Sequence, residues 1–538
     1  MIVSLLLGAA AVAAAPTGSD ASSAIAVAKD APQEAGDSIL HPFVSFSIEF
    51  AFFPDYAGEH PRVSQTSNPN DFSNNLLDNL ANLQGTKPYI RVGGNTQDFA
   101  LYDPNLKTAT NGTIVPAKST DYPYLLSIGP SFFESYSTWP NTKFSHGFNL
   151  GKNSTAAMES LLASVPLACN ALAGGKLMHW ELGNEPDLFP GSGEFNPRPE
   201  NWTESDYVAN WLTKERAIKQ KMAHACPEMA TDSAYTYLAP SFAGIGNSLD
   251  PVKTWRDGLD SDKNIRLNSM HNYMGGATQP GVTLQKTLMN HTSVIKSVDQ
   301  HATLAHELQS DGLSPGIPYI LGEMNSLYNE GKPGLSNSFG AALWGVDFNL
   351  YSASQSIHRT HMHQGTDYRY ASWQPVQTSK TTKGTKAPYY GNVMVAAMLS
   401  ANDNDHVRVL NLPLDQDTES AYAAYVNDNL ARIAVVNMQE YNYTGSTAAS
   451  QRPSAKYAFQ LPEQAAGKTL AVQRLMANGS DAITGITWNG WSYNYELNNG
   501  KPVRLHNVTI GETVPVGKKG VVEIEVPWSS GAILDFQV

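Results

Sequence analysis

One alternation governs what this chain can fold into. Short apolar runs begin near Val44, Pro88, Lys143, Leu177, Tyr235, Asn268, Pro318 and Ser356. Helical patterns lie between most of them, including 155–173, 206–226, 341–351 and 388–399. Eight strand–helix repeats call for parallel strands, and at this count and length for an α/β fold of the (β/α)₈ TIM-barrel type. The barrel is expected over residues 41–402. Beyond residue 402 the pattern changes to strand upon strand, at 407–412, 421–426, 432–438, 457–461, 469–476, 486–493, 503–510 and 521–526. Turn signals such as Asn427-Asp428-Asn429 and Asn498-Asn499-Gly500 separate several of them. Short strands without helices indicate an antiparallel β-sandwich over 403–538.

The first 15 residues form a short apolar run that ends in small residues, as in a secretory signal peptide, although no Lys or Arg precedes it. The run falls short of the roughly 20 residues that span a bilayer, and no later run is long enough. A buried N-terminal element is the alternative reading. Residues 16–40 are either a linker or a strand, near 24–28, that pairs with the C-terminal sheet. Cys169 and Cys226 close one disulfide if the compartment is oxidising, or stay as two buried thiols. Seven Asn-x-Ser/Thr sequons, at Asn111, Asn153, Asn201, Asn290, Asn442, Asn478 and Asn507, are about what composition alone yields. The net charge of −13 argues against nucleic acid or a long polyanion as partner, since phosphate and sulfate contacts need clustered Lys and Arg.

In such a barrel the chemistry sits at the C-terminal ends of the strands. The fourth run, Leu177-Met178-His179-Trp180-Glu181-Leu182-Gly183-Asn184-Glu185-Pro186, is apolar and then stops at a Glu before Pro. The seventh, Pro318-Tyr319-Ile320-Leu321-Gly322-Glu323, likewise ends in a Glu. Two carboxyls at neighbouring strand ends are what glycoside hydrolysis requires: one protonated to donate to the leaving oxygen, one ionised to attack the anomeric carbon. A separation of about 5–5.5 Å means retention of configuration, and about 6.5–9.5 Å inversion.

Asn184-Glu185-Pro186 and Gly322-Glu323 resemble the acid/base and nucleophile of the retaining "4/7" glycoside hydrolase clan. Trp180 to Asp187, Ile90-Arg91-Val92-Gly93-Gly94-Asn95-Thr96 and Gly322-Glu323-Met324-Asn325-Ser326-Leu327-Tyr328 resemble glycoside hydrolase family 79, the β-glucuronidases and heparanases. The resemblance implies Glu185 as general acid/base, Glu323 as nucleophile and Asn184 on the sugar 2-hydroxyl. It implies Tyr273 holding the nucleophile and Tyr328 near the uronic carboxylate. Gln364-Gly365 would supply a backbone N–H to that carboxylate, and Glu49 and Asp98 would bind the C3 and C4 hydroxyls. For Glu49, Asp98 and Gln364 the alternative is a polar, solvated rim. Heparanases carry glycines after the tyrosine, where this chain has Asn329-Glu330-Gly331. Arg91 is expected inside the barrel, paired with a carboxylate.

The implied enzyme is a secreted, monomeric β-glucuronidase with no cofactor, no metal and no membrane or nucleic-acid partner. A heparanase-like endo-enzyme, a 4/7 glycosidase for a neutral sugar and a carbohydrate-binding pseudoenzyme are the rivals. Gly312-Leu313-Ser314-Pro315-Gly316 fits a nucleophile-elbow pattern but precedes a strand instead of following one. His358, His361 and His363 lack carboxylate or Cys partners at metal-ligand spacing and are taken as structural or rim residues.

Overall fold

The computed structural model describes residues 24–58, 68–402, 404–444 and 452–536. The leader-like residues 1–15 lie outside the described residues. Eight strands close into a barrel: β1 (Val44–Glu49), β2 (Ile90–Gly93), β3 (Phe144–Phe148), β4 (Leu177–Leu182), β5 (Tyr237–Phe242), β6 (Ile265–Tyr273), β7 (Tyr319–Asn325) and β8 (Thr360–Gln364). Each pairs in parallel with its neighbours in chain order, and β8 returns to β1 with Thr360 opposite Val44. Among the described residues, seven helices cover the barrel: α1 (Asp71–Gln84), α2 (Thr155–Leu172), α3 (Glu204–Ala225), α4 (Pro251–Arg256), α5 (His291–Ser310), α6 (Phe339–Ser354) and α7 (Ala387–Met398).

The connection from β2 to β3 departs from the repeat. It carries a small three-stranded sheet (Ala100–Tyr102, Thr110–Thr113, Leu125–Ile128) and a 3₁₀ helix, Pro130–Ser137, where a barrel helix would stand. Helix α2 is long and apolar enough to cross a membrane by length and composition alone. This corrects the expectation that no later run is long enough. Here it turns Leu161, Val165, Ala168, Cys169 and Leu172 into the core, and Cys169 is disulfide-bonded to Cys226 at the end of α3.

The C-terminal region holds two sheets. The larger runs Val407–Leu412, Glu419–Val426, Asn429–Asn437, Ser530–Asp535, Thr469–Met476 and on through shorter strands. The smaller joins Ile25–Ala26, Ser454–Gln460 and Val521–Pro527, so the N-terminal segment pairs in parallel with a C-terminal strand. Strand alternation gives the large sheet two buried faces. Ala421, Ala423, Tyr425, Ile433 and Val435 pack against the small sheet, while Tyr422, Ala424, Ala434 and Val436 join the barrel core. That is why α6 and α7 are mostly apolar and wholly buried: they lie between barrel and sheet.

Three details differ from the sequence reading. Ser530–Asp535, not anticipated as a strand, is central, pairing with both Asn429–Asn437 and Thr469–Met476. The run 486–493 is broken into Thr487–Trp488 and Trp491–Ser492 by Asn489 and Gly490, both at positive φ. The run 503–510 keeps only Val503–Arg504.

Candidate active site

The upper barrel is polar inside, and Arg91 on β2 organises it. Its buried guanidinium donates Nε to Glu181 Oε2 at 2.8 Å, Nη1 to Glu323 Oε2 at 2.5 Å and to Ser47 Oγ at 3.0 Å, and Nη2 to Asn184 Oδ1 at 2.8 Å. One cation thus ties β1, β2, β4 and β7 together and fixes the Glu323 carboxylate from one side. Tyr273 fixes it from the other, donating its hydroxyl to Glu323 Oε1 at 2.7 Å. The glycines after Arg91 follow from this packing. A side chain at Gly93 would strike the Arg91 guanidinium. Gly94 has φ +102°, and a Cβ there would stand 2.8 Å from the Glu49 carboxylate.

Glu185 follows β4 in the left-handed region, at φ 51° and ψ 48°. Its N–H donates to Ser241 O at 2.9 Å, and Pro186 begins a 3₁₀ turn. Asp187 secures that turn by accepting from Ala243 N and Asn247 Nδ2, each at 2.8 Å. One oxygen of Glu185 and one of Glu323 lie within 4.8 Å of each other, with His271 Nδ1 inside the same distance. Three such donors could surround a cation, but Glu323 is already held by the Arg91 guanidinium and the Tyr273 hydroxyl, which suits a nucleophile.

The two carboxyls are driven apart in acidity. Burial first, and the Glu323 charge second, push Glu185 up to about 8. Burial pushes Glu323 up as well, but the imidazoles of His363 and His271, the Arg91 guanidinium and the Tyr273 hydroxyl outweigh it and hold it well below the carboxylate range. One carboxyl is kept protonated and the other ionised, the division that acid and nucleophile need.

A cavity of about 530 Å³ opens above the pair. Glu185, Glu323, Tyr273, Tyr328 and Glu49 line it, as do Asn95, Lys118, Tyr122, Glu330, His363, Tyr368 and Tyr370. Glu49 stands at its base, accepting from Thr96 N at 2.8 Å and Tyr368 Oη at 3.1 Å. Tyr328 is 46% exposed at the mouth, its ring over Gly276.

Four residues expected to contact the sugar do not line the cavity. Asp98 faces backbone instead of the cavity, accepting from Leu150 N at 2.6 Å, Gly151 N at 2.8 Å and Asn184 N at 2.7 Å. Three buried N–H groups demand that acceptor. Gln364 Oε1 accepts from Ser372 N at 3.1 Å, and the Tyr368 ring lies over Gly365; neither residue lines the cavity. Asn184 stands one layer back, bound to Arg91 and to Asn95 Oδ1, and Asn95 reaches the cavity in front of it.

Other residues in the site were not anticipated. His363, read from sequence as a structural or rim residue, sits between Glu49 and Glu323, at 3.4 and 3.5 Å. His271 contacts Glu185 at 3.0 Å. Period two on β6 puts His271 on the face of Tyr273, so this signal was present in the sequence. Lys118, Tyr122 and Glu330 arrive on loops, and no spacing marks them.

A parallel eight-stranded barrel with carboxyls of opposite protonation at the ends of β4 and β7 defines the 4/7 class of glycoside hydrolase. A β-glucuronidase of Aspergillus niger is 64% identical over 99% of this chain and 98% of its own length. A β-glucuronidase of Neurospora crassa is 50% identical over 99% of both chains. Residues 421–533 match the Glycosyl hydrolase family 79 C-terminal beta domain. The chain belongs to glycoside hydrolase family 79. The fold is shared with a 4-O-α-L-rhamnosyl-β-D-glucuronidase of Fusarium oxysporum, at TM-score 0.75 and 23% identity over 95% of this chain and all of that one. It is also shared with a family 51 α-L-arabinofuranosidase of Bifidobacterium longum, at TM-score 0.60 and 14% identity over 95% of this chain and 99% of that one.

Proposed function

We propose that this enzyme is a retaining β-glucuronidase. The observation that carries the reading is the carboxyl pair, with oxygens within 4.8 Å, short of the roughly 6.5–9.5 Å needed to admit an activated water between them. Glu185 protonates the glycosidic oxygen while Glu323 attacks C1, breaking the C1–O bond and forming a glycosyl ester. Water then attacks C1, Glu185 takes its proton, and Glu323 leaves as carboxylate. The names of the relatives supply the sugar. Lys118 and the hydroxyls of Tyr122, Tyr328 and Tyr370 are donors suited to one uronate carboxylate in a cavity that also holds four Glu side chains.

The test is hydrolysis of matched aryl β-glucuronide, β-glucoside, β-xyloside and α-L-arabinofuranoside, with the first-formed anomer followed by proton NMR. The glucuronide should lead, the β-anomer should appear first, and Glu323→Ala should abolish turnover. Equal turnover of the glucoside, or the α-anomer first, would overturn the reading. The same reading has the enzyme secreted, glycosylated and monomeric. The signal-like leader, the Cys169–Cys226 bridge, the exposure of every sequon Asn except half-buried Asn290, and a cavity formed within one chain support it.

A further inference from the structure

His271 touches the general acid yet takes no part in the steps above. Its Nδ1 lies 3.0 Å from Glu185 Oε1 and 4.0 Å from Glu323 Oε2. The ring is fully buried, and its Nε2 has no hydrogen-bond partner among the described residues. A register shift in β6 between Met270 and His271 sets His271 opposite Glu323 on β7, and such irregularities re-aim side chains next to active sites. The charged and titratable groups around it are Glu185, Glu181 and Asp187 at the end of β4, Glu323 on β7, Arg91 on β2 and His301 on α5. Burial holds its pKa down to about 4, so the ring is neutral at ordinary pH.

A neutral imidazole carries one N–H and one bare nitrogen. A buried N–H left without an acceptor is rarer and costlier than a buried acceptor left without a donor. The lower-cost tautomer leaves the orphaned Nε2 as the bare nitrogen and puts the proton on Nδ1, facing Glu185. We propose that His271 is a positioning residue that donates Nδ1–H to Glu185 Oε1, so that the acid's transferable proton is fixed on Oε2. With Oε1 engaged, the carboxyl cannot rotate its proton away from the glycosidic oxygen. In the first half-reaction the proton passes from Oε2 to the leaving group. In the second it returns from water to Oε2, and His271 keeps its own proton throughout.

This inference rests on the glucuronidase reading, and the test separates the two. An Asn amide places its N–H near the Nδ1 position of His, whereas a Gln amide places its own near Nε2. kcat/KM is measured on phenyl and 4-nitrophenyl β-glucuronide for the parent, His271→Ala, His271→Asn and His271→Gln. Removing the orienting contact should cost on the order of 100-fold on the phenyl substrate, which needs protonation, and less than about tenfold on the nitrophenyl substrate. His271→Asn should stay within about tenfold of the parent on both, and His271→Gln should follow His271→Ala. Equal losses on the two substrates, or better activity with Gln than with Asn, would overturn the proposal. If His271→Ala does not fold, the Asn and Gln variants decide alone. If the parent cleaves neither glucuronide, the sugar assignment fails instead, and the same comparison is made on aryl glycosides it does cleave.

Discussion

Replacing Arg91 by Met strands two buried carboxylates at once. Arg91 gives Glu181 and Glu323 one charge-assisted hydrogen bond each, at 2.8 and 2.5 Å, with all three side chains buried. At about 1.5–3 kcal/mol per bond to a charged group, the loss is about 3–6 kcal/mol, in line with about 3–5 kcal/mol for breaking a buried pair. A barrel of about 360 residues unfolds with an entropy near 0.75 kcal/mol/K, so Tm should fall by about 4–8 °C. Glu323 also loses a cation that holds its proton affinity down, so the acidic limb of kcat/KM should move up in pH. Adding Glu181→Gln removes one of the stranded charges and should recover about half of the lost stability. Calorimetry of the parent, both single variants and the double variant tests this. A Tm within about 1 °C of the parent, or no recovery in the double variant, would refute the view that Arg91 neutralises this site.

Two further outcomes follow from the structure. Glu185 holds its proton more tightly folded than unfolded, so its contribution to stability is complete below its unfolded value of about 4.3 and is lost as pH rises toward about 8. Glu185→Gln should therefore melt above the parent at pH 9 and with it at pH 4, while abolishing the alkaline limb of the rate profile. The Cys169–Cys226 bridge closes a separation of 57 residues, worth about 4 kcal/mol in chain entropy. Reductant should lower the Tm of the parent but leave the Cys169→Ala/Cys226→Ala variant unmoved. A parent indifferent to reductant would count against a structural bridge.

The barrel was legible because its period is local: each apolar run and each amphipathic helix carries its own signal. Strand ends at Glu185 and Glu323 were legible for the same reason, since apolar runs that stop at a Glu are visible within ten residues. Ser530–Asp535 was not, because a short run such as Ser530-Gly531-Ala532-Ile533-Leu534-Asp535 carries no turn signal, and its place between two strands is decided by partners far along the chain. Asp98 was misplaced for a related reason. Its position after β2 was readable, but the three N–H groups that claim its carboxylate come from residues 52 to 86 positions away.

By itself the sequence determined the architecture and the two carboxyls on which the proposed chemistry turns. Which of them stays protonated was decided only by tertiary structure. Glu323 meets Arg91 from 232 positions away and Tyr273 from 50, while Glu185 meets burial and the charge of Glu323. Acidity is a sum over whatever surrounds a group in space, and for these two the surroundings are assembled when the eighth strand closes on the first.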